Sequence, residues 1–420
     1  MMKLRLTALS FLQFFIWGSW LITIGAFWFK TKQWGPDQFG VIFSTMGISA
    51  LFMPAIAGIL SDRFINAEKL YGVLHLLGGI GLFLVPSAQS PDEMFWRILL
   101  TMIFYMPTIS MSNTVMYAIL SRDKSIDVVK VFPPIRVWGT VGFIVALWTV
   151  SLTGHETDAF QFYLGGAVSF VLAAYAFTLP ACPPLGKDLE RKSWVEALGL
   201  NAFKMLKDRY YAVFFLFALL LGAALQLTNA YGDVFLHDFD GNPAYADTMA
   251  VKYPAIVSSL AQISETLFIL AIPFFMKRFG IKQVMLISMV AWVLRFGLFA
   301  FGNPGDGLWM ILLSCIIYGM AFDFFNISGS LFIEKSVEPS IRASAQGLFT
   351  MMVNGLGAVL GSRVSGWVIE HYFTHYTTNA EGQSIPHLDW SGIWLSFAGY
   401  SAVVAILFLM LFRERKVQAQ

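Results

Sequence analysis

The chain has 420 residues, of which 57% are hydrophobic and only 13% charged, with 40 phenylalanines and a formal net charge of +2. Its mean hydropathy is +0.66. No water-soluble surface could carry that apolar load, so the composition excludes a soluble globular protein and leaves an integral membrane protein.

Apolar runs of about 20 residues recur along the whole length, enough for a helix rising about 1.5 Å per residue to cross about 30 Å of hydrocarbon. Twelve spans are predicted, over residues 6–29, 39–60, 70–87, 95–119, 134–154, 160–180, 211–232, 253–276, 283–302, 308–333, 344–369 and 391–412. The first run follows Lys3 and Arg5, as a signal peptide would. It is too long for a signal h-region and lacks a small-x-small cleavage pattern, so it is expected to stay in the protein. Gln13, Trp17 and Trp20 share one face of it.

Asp62 and Arg63 follow the second span, and Tyr105 and Asn113 lie in the fourth. Pro133-Pro134 reads as a helix start that opens the fifth span, placing Arg136 about half a turn inside it, with Thr140 and Phe143 at the i+4 and i+7 positions. The polar segment Ala181 to Arg209 then divides the spans six and six. The expected organisation is an N-terminal half over 1–180, a cytoplasmic linker over 181–209 and a C-terminal half over 210–420.

In the second half, Gln226 and Asn229 are three apart on the seventh span, and so are Gln262 and Glu265 on the eighth. Lys277 and Arg278 follow. On the tenth span Gly319, Asp323, Asn326 and Ser330 form a stripe whose small and polar members are expected to leave room for water beside Asp323, with Tyr318 and Phe322 next to it. The loop from Phe373 to Trp390 is long. Cys182 and Cys315 fall in a polar linker and mid-helix respectively, which argues against a structural disulfide.

Basic residues set the orientation, because cytoplasmic loops retain Lys and Arg. With the N-terminus inside, cytoplasmic segments hold 21 of the 28 basic residues, and Lys30, Lys32, Arg97 and Lys252 lie outside. Arg136, Arg295 and Arg363 fall within spans. The expectation is a multi-pass protein of the cytoplasmic (inner) membrane with both termini cytoplasmic.

The halves also repeat. Asp62-Arg63 matches Lys277-Arg278, Tyr105 and Asn113 match Tyr318 and Asn326, and Ile135-Arg136 matches Ile341-Arg342, in the same order at offsets of 215, 213 and 206. The fold class is therefore an all-α membrane protein of twelve transmembrane helices in two six-helix repeats, the major facilitator architecture. In that architecture substrates bind near the midplane and one half rocks against the other.

Glu265 and Asp323 stand out because a carboxylate in hydrocarbon is costly and is a functional hypothesis by default. Glu265 lies 13 residues after Lys252 and 12 before Lys277, and Asp323 lies 11 before Glu334, so both are near mid-bilayer. Side-chain amides offer paired donors and acceptors, and aromatic faces stack on flat rings. A neutral, hydroxylated ligand fits this set better than a fatty acid or a metal ion, and the chemistry alone leaves nucleosides and sugars both open.

The stretches Ser10 to Trp20 (SFLQFFIWGSW), Phe132 to Phe143 (FPPIRVWGTVGF), Leu225 to Asn229 (LQLTN), Gln262 to Glu265 (QISE) and Tyr318 to Gly329 (YGMAFDFFNISG) resemble those of the nucleoside:proton symporter family of the major facilitator superfamily. The resemblance runs from the first span to the twelfth. It implies a substrate site of Arg136, Thr140, Phe143, Gln226, Asn229, Gln262, Glu265, Tyr318, Phe322 and Asp323, the positions that the helical stripes also select. Asp233, one turn beyond Asn229, stands where the family pattern leads one to expect asparagine. The resemblance implies nucleoside import coupled to protons, with sodium coupling left open by the residues themselves.

Asp323 or Glu265 would carry the proton, since a carboxylic acid is tolerated in a low-dielectric site as the neutral acid. Arg136, always charged, is assigned to substrate contact or transient pairing. Asp62, Arg63, Lys277 and Arg278 sit where inner gates close in this superfamily, and ion pairs made in one state only would bias the equilibrium.

From other classes, a non-transporting nutrient sensor stays open, while an intramembrane enzyme finds little support. Glu370-His371-x-x-x-His375 lacks the His-Glu-x-x-His order of zincins and reads as a solvated loop. No nucleophile with a base, phosphate loop or nucleic-acid module is evident. The expected partners are a nucleoside, a proton and the lipid bilayer, with no nucleic acid, no metal and no cofactor, and the chain is expected to act as a monomer.

Overall fold

A computed structural model describes residues 2–122, 124–125, 127–184, 200–338, 341–378 and 384–413. The linker expected over 181–209 lies largely outside the described residues, as does the centre of the long 373–390 loop. Each of the twelve predicted runs is mainly helical where it is described, although turns interrupt the first over residues 19–23.

The helices are α1 Met2–Gly18, α2 Pro36–Arg63, α3 Ala67–Leu84, α4 Pro91–Leu120, α5 Val128–Leu152, α6 Phe160–Ala176, α7 Arg209–Asp238, α8 Pro254–Phe301, α9 Leu308–Ser336, α10 Arg342–Thr350, α11 Ala358–Phe373 and α12 Trp390–Leu411. Among the described residues eight helices are long and apolar enough to cross a membrane, and the 48-residue α8 carries two of the predicted spans. Its two arms meet at Gly280, whose φ of 78° is a left-handed conformation that residues with a Cβ rarely adopt. The remaining spans are shorter or interrupted. After Gly18 the chain passes through turns, the single turn Ile24–Ala26 and a π-helical stretch Phe27–Lys32. A second π-helical stretch, Met351–Gly357, joins α10 to α11.

Three expectations need correction. Helix α5 begins at Val128, so Pro133 and Pro134 lie inside it and Arg136 is two turns from its start. Asp127 explains the earlier start, because its carbonyl accepts from the amides of Lys130 and Val131 and its side chain accepts from Lys130 as well. The tandem prolines then only remove donors from the helix interior. The long outer loop is also not wholly irregular, since Thr374–Thr378 and Ser384–Leu388 pair as antiparallel strands β1 and β2 with Thr374 opposite Leu388. Gly319, expected to leave room for water, instead marks a tight helix contact described below.

The chain forms two compact units, Met1–Lys32 with Thr45–Leu198, and Gln33–Ser44 with Gly199–Gln420. The start of α2 groups with the second unit because Gly40 abuts Ser362 and Gly366 of α11. In the first unit α1 lies directly on α5: Gly18 meets the backbone of Phe143, and Gly142 meets that of Phe11. Such closeness requires small residues, the usual means by which helices associate in lipid.

In the second unit α8 and α9 pack through Ile272, Val284 and Phe324, with Phe268, Phe275, Met276 and Ile287 around them. Hydroxyls reinforce this contact, Ser264 donating to the Ile316 carbonyl and Ser288 to that of Ala321 at 2.5 Å. Both cysteines are buried and free.

Candidate functional site

In the first unit, α5 presents Arg136, Thr140 and Phe143 on one face. The guanidinium of Arg136 lies over the ring of Phe14, 4.0 Å from its centre, a geometry that stabilises a partly desolvated cation. Phe143 is 7% exposed, and its backbone is fixed by the contact with Gly18.

Gln13 points elsewhere than its stripe implied. It is wholly buried and donates to Thr108 Oγ1 at 2.9 Å, while its Oε1 accepts from Tyr71 at 2.6 Å and lies 2.9 Å from His75 Nε2. Tyr105 donates to its backbone carbonyl at 2.7 Å. With every polar atom satisfied, this cluster is interhelical glue rather than a ligand site. Trp20 is likewise packed, 6.2 Å from Phe162 between ring centres. Trp17 differs, because its indole N–H is buried with no acceptor.

In the second unit, α7, α8 and α9 carry seven of the predicted site residues. Gln226 is 7% exposed and Asp323 4%. The buried Oε1 of Gln226, Oε1 of Gln262 and Oδ2 of Asp323 each lack a hydrogen-bond partner. Leaving one such atom unmet costs about 1–3 kcal/mol, so each of the three is an acceptor open to a donor. Asn229 and Glu265 are half-buried beside them.

Tyr318 and Phe322 stack on each other, with ring centres 5.9 Å apart and planes 8° apart, forming an aromatic wall on α9. Gly319 sits between them in sequence and touches α8. A Cβ there would come within 2.6 Å of the backbone nitrogen of Glu265. Asn326 donates to the Phe322 carbonyl at 3.1 Å, and the Ser330 carbonyl accepts from Gln346 at 2.8 Å, so the rest of that stripe serves local structure.

Arg295 belongs to none of the helical stripes, and its position within a span is its one signal in the sequence. It is 3% exposed and hydrogen-bonds to Ser314 and Thr228. Asp233, flagged as a departure, lies 3.5 Å from His237 Nε2 one turn on.

At the predicted inner gate, Asp62, Lys277 and Arg278 are exposed and Arg63 is half-buried. Arg278 lies 5.8 Å from the centre of the Phe279 ring. In the outer loop, His371 is exposed and its Nδ1–H donates to the Trp367 carbonyl at 2.9 Å. His375 is on β1 opposite His387.

Apolar helices long enough to span a bilayer, with buried amides, carboxylates and stacked rings part-way along them, define a multi-pass membrane transporter. A family model described as "Nucleoside H+ symporter" matches residues 1–417. The chain is 48% identical to the nucleoside permease NupG of Escherichia coli K12 over 418 residues, covering 99% of this chain and 97% of that protein. It is 49% identical to the xanthosine permease of the same organism over 411 residues, covering 98% and 96%.

Crystal structures of the nucleoside transporter NupG superimpose with TM-scores of 0.92 for a point mutant and 0.89 for the unmutated protein, the latter covering 98% of this chain and 99% of that one. A bacterial homologue of the lysosomal transporter Spinster, 15% identical, shares the fold with a TM-score of 0.66 over 97% of this chain and 94% of that one. The chain belongs to the nucleoside H+ symporter family.

Proposed function

We propose that this protein imports nucleosides together with protons across the cytoplasmic membrane by alternating access, with both termini cytoplasmic. The observation that carries the reading is the trio of partnerless acceptors on Gln226, Gln262 and Asp323, beside the stacked Tyr318 and Phe322. A nucleoside supplies what each lacks: ribose hydroxyls and base N–H groups donate, and the base has a flat face to stack. The nucleoside permease and xanthosine permease among its relatives support the same substrate class.

Substrate recognition is assigned to Arg136, Thr140 and Phe143 from the first unit and to Gln226, Asn229, Gln262, Glu265, Tyr318, Phe322 and Asp323 from the second. Thr140 and Asn229 offer hydrogen bonds, and Phe143 and Phe322 offer faces to the base. Asp323 carries the proton and Glu265 accepts from ribose hydroxyls. The neutral acid crosses between states cheaply, whereas a naked carboxylate without a partner opposes the change. Asp62, Arg63, Lys277 and Arg278 are assigned to the inner gate. The repeats run over 1–180 and 210–420 with a cytoplasmic linker between, and the working unit is a monomer.

The test is uptake and counterflow by the purified protein in proteoliposomes, with a panel of nucleosides and sugars and with imposed proton or sodium gradients. Nucleoside accumulation driven by an inward proton gradient is expected. Transport of sugars in preference, accumulation driven by sodium alone, or binding without net uptake each overturns the reading.

A further inference from the structure

Arg295, in the second arm of α8, has no part in the transport cycle proposed above, yet it is 3% exposed. Among the described residues no carboxylate lies within ion-pair distance of it. A guanidinium withdrawn from water without an acid to pair is expensive, and an apolar side chain of similar length would satisfy packing alone. What Arg295 touches explains its presence.

Its Nη1 donates to the Ser314 carbonyl at 2.6 Å and its Nε to Thr228 Oγ1 at 3.3 Å. Its own carbonyl accepts from Ser314 Oγ at 2.9 Å, which fixes the backbone from which the side chain leaves. The guanidinium carbon is 4.7 Å from the ring centre of Tyr318 and 5.0 Å from that of Phe299. These contacts reach two helices at informative places. Thr228 lies between Gln226 and Asn229 on α7, and Tyr318 is the ring stacked on Phe322 on α9.

We infer that Arg295 is a positioning residue for substrate recognition: it ties the amide-bearing stretch of α7 to the aromatic wall of α9 and holds the Tyr318 ring against its cation. The spacing between a hydrogen-bonding edge and a stacking face is what distinguishes a planar base from other ligands, and one planar, multiply bonded cation sets that spacing. Lysine could supply the charge but not the divergent N–H groups. This inference rests on the nucleoside reading of the site.

The test is concentration-dependent nucleoside counterflow by Arg295→Met, Arg295→Lys, Thr228→Val and the Arg295→Met/Thr228→Val double variant, each normalised to folded protein. A hydrogen bond from a charged group corresponds to about a tenfold effect or more. The expected result is therefore a KM raised about tenfold in Arg295→Met, with maximal rate changed less than about twofold. Arg295→Lys is expected to restore part of the loss, and Thr228→Val to raise KM about threefold. The double variant should be no worse than Arg295→Met, because both remove one connection.

A merely structural role would lower the yield of folded protein and leave KM alone. If Arg295→Met does not fold, Thr228→Val and Arg295→Lys decide the matter, and wild-type KM in both overturns the inference. Failure of the unmutated protein to exchange any nucleoside would instead remove the nucleoside reading, and this inference with it.

Discussion

Gly319 of α9 rests against Glu265 of α8 so closely that a Cβ on Gly319 would stand 2.6 Å from the Glu265 backbone nitrogen. Asp323 is one helical turn further along α9, so the contact that joins the two helices also brings the two membrane-embedded acids to one seam. Close packing and the acid pair are thus one feature of the fold, set by a single missing side chain.

Replacing Gly319 is therefore expected to be costly. The atoms facing the new Cβ are backbone atoms of Ser264 and Glu265, which cannot rotate aside, and overpacking of this kind costs about 1–3 kcal/mol or more. Gly319→Ala should lower thermal stability in detergent and transport together, and Gly319→Val should do so more severely. Wild-type melting temperature and uptake in both variants would refute the seam.

Gln226 and Asn229 lie on α7 with the buried Oε1 of Gln226 lacking a partner. Each alanine variant should weaken nucleoside binding by about 1–3 kcal/mol, the cost of leaving a buried polar group of the ligand unmatched. Equilibrium binding to folded protein checks this, and unchanged affinity in both variants would remove them from the site.

Phe143 and Phe322 come from different units, and each is assigned a base-stacking role. Phe→Leu at either position should weaken binding by more than the lost volume explains, while Phe→Tyr is tolerated, because a stacked aromatic pair is worth about 0.5–1.5 kcal/mol beyond its buried area. Equal tolerance of Leu and Tyr would assign both rings to packing.

Much of this arrangement was legible in the sequence. Helical periodicity was enough to gather Gln226 with Asn229 and Gln262 with Glu265, since residues three apart on a helix share a face whatever surrounds it. Periodicity does not say which neighbour a face meets. That is why Gln13, on a plausible stripe, proved to be spent on Tyr71, His75 and Thr108, and why Gly319 read as open space.

Arg295 was visible as a charge within a span, but its partners, Thr228 and Ser314, are 67 and 19 residues away in sequence, and no local pattern connects them. The early start of α5 was missed for a similar reason. A proline pair is the stronger textual signal, yet the acceptor on Asp127 decides where the helix begins.

Cys182 offers a test away from the membrane-spanning helices. Burial, with the Glu68 carboxylate second, pushes its thiol up to about 11, and Glu68 Oε2 accepts from the Cys182 amide at 2.6 Å. Below that pH the thiol stays protonated, and only the thiolate reacts. Folded protein at pH 7–8 should therefore alkylate Cys182 far more slowly than denatured protein, with the rate rising as pH approaches the thiol's raised value. Rapid modification of Cys182 in the folded state at pH 7, read by mass spectrometry, would contradict the buried site.

Coupling of protons to nucleosides is assigned to a mid-membrane acid, and Asp323→Asn is the sharpest test of it because asparagine keeps the shape of the protonated acid. In proteoliposomes the variant should exchange labelled nucleoside for unlabelled nucleoside across the membrane, yet fail to accumulate it when an inward proton gradient is imposed. Concentrative, proton-driven uptake by Asp323→Asn would contradict the assignment and move proton coupling to Glu265.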